Sequence, residues 1–250
     1  MARCGLFSVA GLMAAEAAVA RGAKVDLFDA MPSVGRKFLM AGKSGLNLTH
    51  AEPFPQFMSR FGNNRSRLEP IVADFDPAAI RAWATGLGIE TFVGSSGRVF
   101  PVDFKAAPLL RAWIRRLRAA GVRFHVRHRW TGWSDAGQPT FETPDGPTAS
   151  AADATILALG GASWPKLGSD GAWVDSLSAR GVGIAPLLPA NCGFDVGWSD
   201  HFRDRFAGQP VKPVTLSAGG ESHRGEFVVT ADGVEGSGVY SLSADRKSVG

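Results

Sequence analysis

Residues 35–50, GRKFLMAGKSGLNLTH, gather residue types that suit a large, flat, phosphate-bearing ligand. Gly35, Gly42 and Gly45 permit close backbone approach and positive φ. Arg36 and Lys37 offset phosphate charge, and arginine does so bidentately. Ser44, Asn47 and Thr49 bring hydroxyl and amide groups for a polar ring edge. Two further stretches carry compatible chemistry. Asp29 closes the apolar run KVDLFD. In a βαβ dinucleotide unit an acid about 20 residues past the glycines binds a ribose hydroxyl, and Asp29 lies 18 positions after Gly11. Gly160 and Gly161 follow the apolar stretch ATILAL, placing bare backbone at the carboxyl end of a strand, where ligands bind in open α/β sheets. Taken alone, 35–50 better suits a surface loop with glycines at its turns, and Gly160-Gly161 suits a strand-ending turn about equally well.

Helices and strands must hold these groups in place. Residues 9–21, VAGLMAAEAAVAR, predict a helix, with Leu12, Ala15 and Val19 at helical spacing and Gly22 as its C-terminal cap. A strand over 24–29 follows. The glycine fingerprint before this helix is incomplete. A GxGxxG ending on Gly11 needs glycines at 6 and 8, where this chain has Leu6 and Ser8. Met1–Gly5 leaves little room for a ~5-residue strand plus its turn, so the first strand is expected to be degenerate or missing. Further on, Asp76-Pro77 starts a helix running to about Leu87. A second helix over 106–120 buries Leu109, Leu110, Trp113, Ile114 and Leu117 and turns Arg111, Arg115, Arg116 and Arg118 elsewhere. Residues 122–159 predict β-structure: the alternating VRFHVRHRW, a hairpin turning at Asp145-Gly146, and a buried apolar strand at 154–159. After about 185 the chain becomes rich in proline, glycine and short strands.

Composition sets the outer limits. The chain has 250 residues, 45% hydrophobic and 20% charged, with net charge +4, as in a globular protein of one large or two smaller domains. Two cysteines, Cys4 and Cys192, make neither a metal pattern nor a disulfide framework and fit a reducing cytoplasm. No apolar run approaches 18 residues, so no membrane span is expected. A P-loop is excluded because six residues, not four, separate Gly35 from Gly42-Lys43. Gly161-Ala162-Ser163-Trp164-Pro165 lacks the closing glycine of a nucleophile elbow. Histidines 50, 125, 128, 201 and 223 have no metal-ligand spacing.

Several stretches, in order, resemble the BaiN/RdsA family of NAD(P)/FAD-dependent oxidoreductases. They are AGLMAAE at 10–16, VDLFD at 25–29, the 35–50 loop, GRVFP at 97–101, the glycines after 154–159, LGSDGAW at 167–173, and 224–244. The chain departs from the pattern at Leu6, Ser8 and Gly45-Leu46. The resemblance implies an α/β fold. A Rossmann-like FAD-binding domain, a doubly wound parallel sheet, would span 1–187, and a β-rich insert domain would begin at 188 and be incomplete at 250. It implies FAD held by Gly11, Asp29, Gly35, Arg36, Lys37, Gly42, Ser44, Asn47, Thr49, Gly160 and Gly161, with hydride passing from NAD(P)H to an unsaturated substrate, a small molecule or RNA. Since flavin carries the chemistry, no catalytic acid or base is assigned. Set against the family pattern the chain looks truncated at both ends, and weak FAD binding is expected of it. An alternative of another class is an RNA-binding module using helix 106–120 and the strand after it, with Arg123, Arg127 and Arg129 as cations and Trp130 and Trp133 for base stacking.

Overall fold

A computed structural model describes residues 2–6, 9–42, 45–189 and 192–243. Two compact units emerge, Met1–Ile184 and Ala185–Gly250. In the first, β1 (Ala2–Leu6), α1 (Val9–Val19), β2 (Asp26–Asp29), α2 (Arg36–Ala41), β3 (Thr49–His50), α3 (Phe54–Ser59) and α4 (Arg65–Ala73) are followed by α5 (Pro77–Gly86), β4 (Thr91–Val93), β5 (Arg98–Pro101) and α6 (Ala106–Ala119). Then come β6 (Arg123–Val126), β7 (Arg129–Trp133), β8 (Pro139–Thr143), β9 (Gly146–Ala149), β10 (Ala154–Ala158) and α7 (Trp173–Ser178).

The central sheet has the order β10-β1-β2-β6, and every pairing in it is parallel. This is a Rossmann-like α/β fold. The alternation of β2 sorts its residues between two cores. Leu27 faces Leu12 and Ala15 of α1 and Leu109, Trp113 and Leu117 of α6. Phe28 faces Trp130, Phe141 and Leu159 on the other side, where the antiparallel sheet β7-β8-β9 supplies the cover. Both predicted helices bury the expected faces. Asp76 caps α5 by accepting the Ala79 N–H at 2.7 Å. In α6, Leu109, Leu110, Trp113 and Leu117 are buried, each worth about 1.5–3 kcal/mol of transfer free energy if fully buried.

Four expectations need correction. The first strand is present: β1 lies between β10 and β2 and pairs with both. Five residues reach the usual strand length, and pairing on both sides compensates for the weak sequence signal. VRFHVRHRW is two strands in two sheets, because Arg127 adopts φ 57°. There the Arg127 N–H donates to the Met31 carbonyl and the His128 N–H to the Asp29 carbonyl, tying the turn to the end of β2. Strand β10 is not buried on both faces. It lies at the sheet edge, with Ile156 43% exposed. The β8–β9 turn is Pro144-Asp145, with Thr143 paired to Gly146, one residue earlier than expected.

The second unit contains β11 (Phe194–Asp195), α8 (Asp200–Phe206), β12 (Pro210–Ala218), β13 (Glu221–Val229), β14 (Gly233–Glu235) and α9 (Ser237–Leu242). Its sheet, order β11-β14-β13-β12, is antiparallel. Gly219 and Gly220, both at positive φ, join the β12–β13 hairpin, as a two-residue turn of the primed type requires. Among the described residues no helix is long and apolar enough to cross a membrane.

Candidate functional site

The parallel register pairs Gly5 with Phe28 and Leu6 with Ala158. The chain therefore leaves β1, β2 and β10 at one edge of the sheet, the edge where open α/β folds bind ligands. Helix α1 begins at that edge, and Gly11, its third residue, is buried. The first N–H groups of a helix lack intrahelical partners and carry the positive end of its dipole, which favours an anion.

Asp29 ends β2 and is 4% exposed. Its carboxyl accepts the Met31 N–H at 2.8 Å. Burial pushes its pKa up to about 7, opposed by that hydrogen bond and by the charge of Arg36. Arg36 is the first residue of α2, so the structure brings it to the predicted acid.

The rest of the 35–49 stretch divides by role. Gly35 has φ 75°, and a Cβ there would lie 2.8 Å from both terminal methyls of Leu110. A Cβ at Gly42 would lie 2.4 Å from that of Ala106. Both glycines let α2 approach α6, so packing already accounts for them. The Lys37 ammonium donates to Ser163 Oγ at 2.6 Å, joining α2 to the loop after β10. Asn47 is exposed. Thr49 is buried on the separate sheet β3-β5-β4, and its Oγ1 has no hydrogen-bond partner among the described residues. Ser44 lies outside the described residues. Gly160, at φ 76°, accepts the Trp173 indole N–H at 3.0 Å through its carbonyl. The Gly161 carbonyl accepts Ser169 Oγ–H, also at 3.0 Å.

Sequence reasoning missed four contributors: Met31, Ser163, Ser169 and Trp173. Met31 meets Asp29 through its backbone N–H, which no residue type announces. Ser163 reaches Lys37 from 126 positions along the chain, whereas Ser169 and Trp173 turn back onto Gly161 and Gly160 from 8 and 13 positions away, through the loop before α7.

Residues 8–249 match the model of the HI0933-like protein Rossmann domain. The chain belongs to this family. Over 251 aligned residues it is 25% identical to the 3-dehydro-bile acid delta(4,6)-reductase of Clostridium scindens, and the match takes in 97% of this chain. The chain spans about 60% of the length of that relative. Among solved structures, the open conformation of a flavocytochrome c3 fumarate reductase is similar in fold at 18% identity and TM-score 0.51, over 64% of this chain and 33% of that one. The 3-ketosteroid-delta4-(5alpha)-dehydrogenase of Rhodococcus jostii RHA1 aligns at 15% identity and TM-score 0.46, over 64% and 45%.

In this HI0933-like chain, the basic region is largely engaged within the fold. The Arg116 guanidinium pairs with Glu16 at 2.5 Å and lies over the Trp83 ring. Glu16 also accepts the indole N–H groups of Trp83 and Trp113, linking α1, α5 and α6. Arg118 lies over Phe124, and Arg123 pairs with Asp26. Trp130 is buried and meets Trp133 edge-on. The RNA-binding reading draws no support from these placements.

Proposed function

We propose that the chain forms the FAD-binding part of a flavoprotein oxidoreductase that transfers hydride from NAD(P)H to an activated carbon–carbon double bond. One observation carries this reading: a buried carboxyl, Asp29, at the carboxyl edge of a parallel sheet, beside the N-terminus of α1. That arrangement fits the dinucleotide end of FAD. Asp29 would accept the ribose hydroxyls. The first turn of α1 around Gly11 would receive the pyrophosphate. Gly160 and Gly161 offer exposed or half-exposed backbone at the same edge, and the buried Thr49 hydroxyl still needs a partner. FAD, when bound, supplies the hydride chemistry. The chain's own groups bind and orient it.

FAD binding by this chain is weak. Leu6 and Ser8 carry side chains at positions where the fingerprint has glycine. Asp29 is partly protonated near pH 7, and a neutral carboxyl accepts weaker hydrogen bonds than a carboxylate. Lys37 is already engaged by Ser163. The substrate class follows the relative, whose name describes a delta(4,6)-reductase acting on a 3-dehydro-bile acid. The setting is cytoplasmic. Anaerobic mixing of the FAD-loaded protein with NADH or NADPH tests the reading. Bleaching of the flavin absorbance by either is expected, and a chain that takes up no FAD at any concentration contradicts it.

A further inference from the structure

The face of the parallel sheet away from α1 contains a cavity of about 70 Å³ beneath the loop that leads to α7. By this measure one water needs roughly 10–15 Å³, so the space admits several water-sized groups. Leu159, Ala172 and Trp173 supply apolar wall, while Trp130, Arg129 and Asp170 supply polar groups. Trp130 is 8% exposed, and its indole Nε1 has no hydrogen-bond partner among the described residues. A buried indole N–H ordinarily finds one. The other charged and indole groups here are engaged, and Ser176 adds a hydroxyl to the wall. The Arg129 guanidinium pairs with Asp170 at 3.1 Å, Asp170 also accepts the Ala172 N–H at 3.2 Å, and the Trp173 indole donates to the Gly160 carbonyl.

These groups narrow the ligand by charge and by hydrogen-bond direction. The unmet demand is for an acceptor at Trp130. A carboxylate would meet it and is drawn by Arg129 but repelled by Asp170, so charge does not favour it. A neutral carbonyl meets it without that conflict. Each Asp170 oxygen accepts one bond from the protein and retains a further lone pair, so a ligand N–H is also accommodated.

We propose that this cavity is a binding site for a small primary carboxamide, its carbonyl oxygen accepting the Trp130 Nε1–H and its NH₂ donating to Asp170. The cavity adjoins the Gly160 end of the dinucleotide edge: Leu159 and Trp173 line it, and the Trp173 indole donates to the Gly160 carbonyl.

The test uses the full chain with ¹⁵N-labelled tryptophan, following the Trp130 indole resonance, assigned through its contact with Trp133, as acetamide is added. A saturable shift with a millimolar midpoint is expected for acetamide, with no saturable shift for acetate. Asp170→Ala should weaken acetamide at least tenfold. Ordered water only, seen as no saturable shift, overturns the proposal. Equal responses to acetamide and acetate, or an Asp170→Ala protein that binds acetamide unchanged, also overturn it. The acetamide–acetate contrast on the unsubstituted chain decides the matter if the variant fails to fold.

Discussion

Asp26 and Asp29 open and close the same short strand, both nearly fully buried, yet they are opposite kinds of group. Burial alone would raise the Asp26 pKa. Hydrogen bonds from Arg123 at 2.6 Å and His125 at 2.7 Å, with their charges, outweigh it and hold the carboxyl below the usual range. His125 in turn stacks on Phe28, 4.6 Å between ring centres. Asp29 has the Met31 N–H and a nearby Arg36, and burial prevails. The first acid is completed by its own fold. The second sits at the carboxyl edge of the parallel sheet, where burial favours its neutral form. A carboxyl whose titration is shifted by burial at a sheet's carboxyl edge is a candidate site group, whereas the shift of Asp26 comes from an ion pair within the fold.

Asp29→Asn tests this contrast with the largest expected effect. The unfolded carboxyl releases its proton near 3.8 and the folded one near 7. Between those values the folded chain binds more protons, so stability falls as pH rises through the window. Asparagine keeps the acceptor for Met31 and removes the titration. Urea unfolding at pH 8 should find the variant more stable than the parent by roughly 2–4 kcal/mol, at about 1.4 kcal/mol per pKa unit, and near parity below pH 4.

The loop glycines offer a parallel test of packing against ligand binding. Gly42→Ala sets a methyl against Ala106, and overpacking of this kind costs about 1–3 kcal/mol. The loss should appear in thermal unfolding without FAD. A variant as stable as the parent would return Gly42 to a purely ligand-facing role.

Asp26→Asn should act with the opposite sign to Asp29→Asn. A lowered pKa contributes stability above the unfolded value and loses it as pH falls through the folded one. Arg123 and His125 are 57% and 35% exposed at the side chain, so solvent screens the pair and the loss at pH 7 is about 1–2 kcal/mol. Unfolding curves of the variant should also lose the acid-side decline below about pH 4.

The smallest effect is expected at Thr49. Replacing its partnerless hydroxyl by a methyl, Thr49→Val, should change stability in the absence of FAD by no more than ~1 kcal/mol, in the stabilising direction. FAD affinity measured on the same protein should fall, separating a hydroxyl kept for a ligand from one kept for the fold.

Much of the architecture could be read from the sequence, because it rests on local patterns. The apolar spacing of Leu109, Trp113 and Leu117, the Asp76-Pro77 start and the acid closing KVDLFD each act over a few residues. What escaped depended on partners distant along the chain. Five ordinary residues at 2–6 become a central strand only when β10 and β2 flank them. Residue type suggests Gly35 and Gly42 as ligand contacts, but Leu110 and Ala106 account for them, and nothing near position 40 announces α6. In Asp29 itself, sequence identified the acid and its spacing, but its raised pKa follows from burial, which only the folded chain supplies.

The central claim is that Asp29 holds FAD in its ionised form. Quenching of flavin fluorescence on titrating the full chain with FAD, at pH 6, 7 and 8, tests it most directly. The account predicts weak binding that dialysis reverses, an affinity rising by about tenfold across that range as the carboxyl ionises, and weaker, pH-independent binding in Asp29→Asn. An affinity unchanged between pH 6 and 8 in the parent, or undiminished in Asp29→Asn, would contradict it.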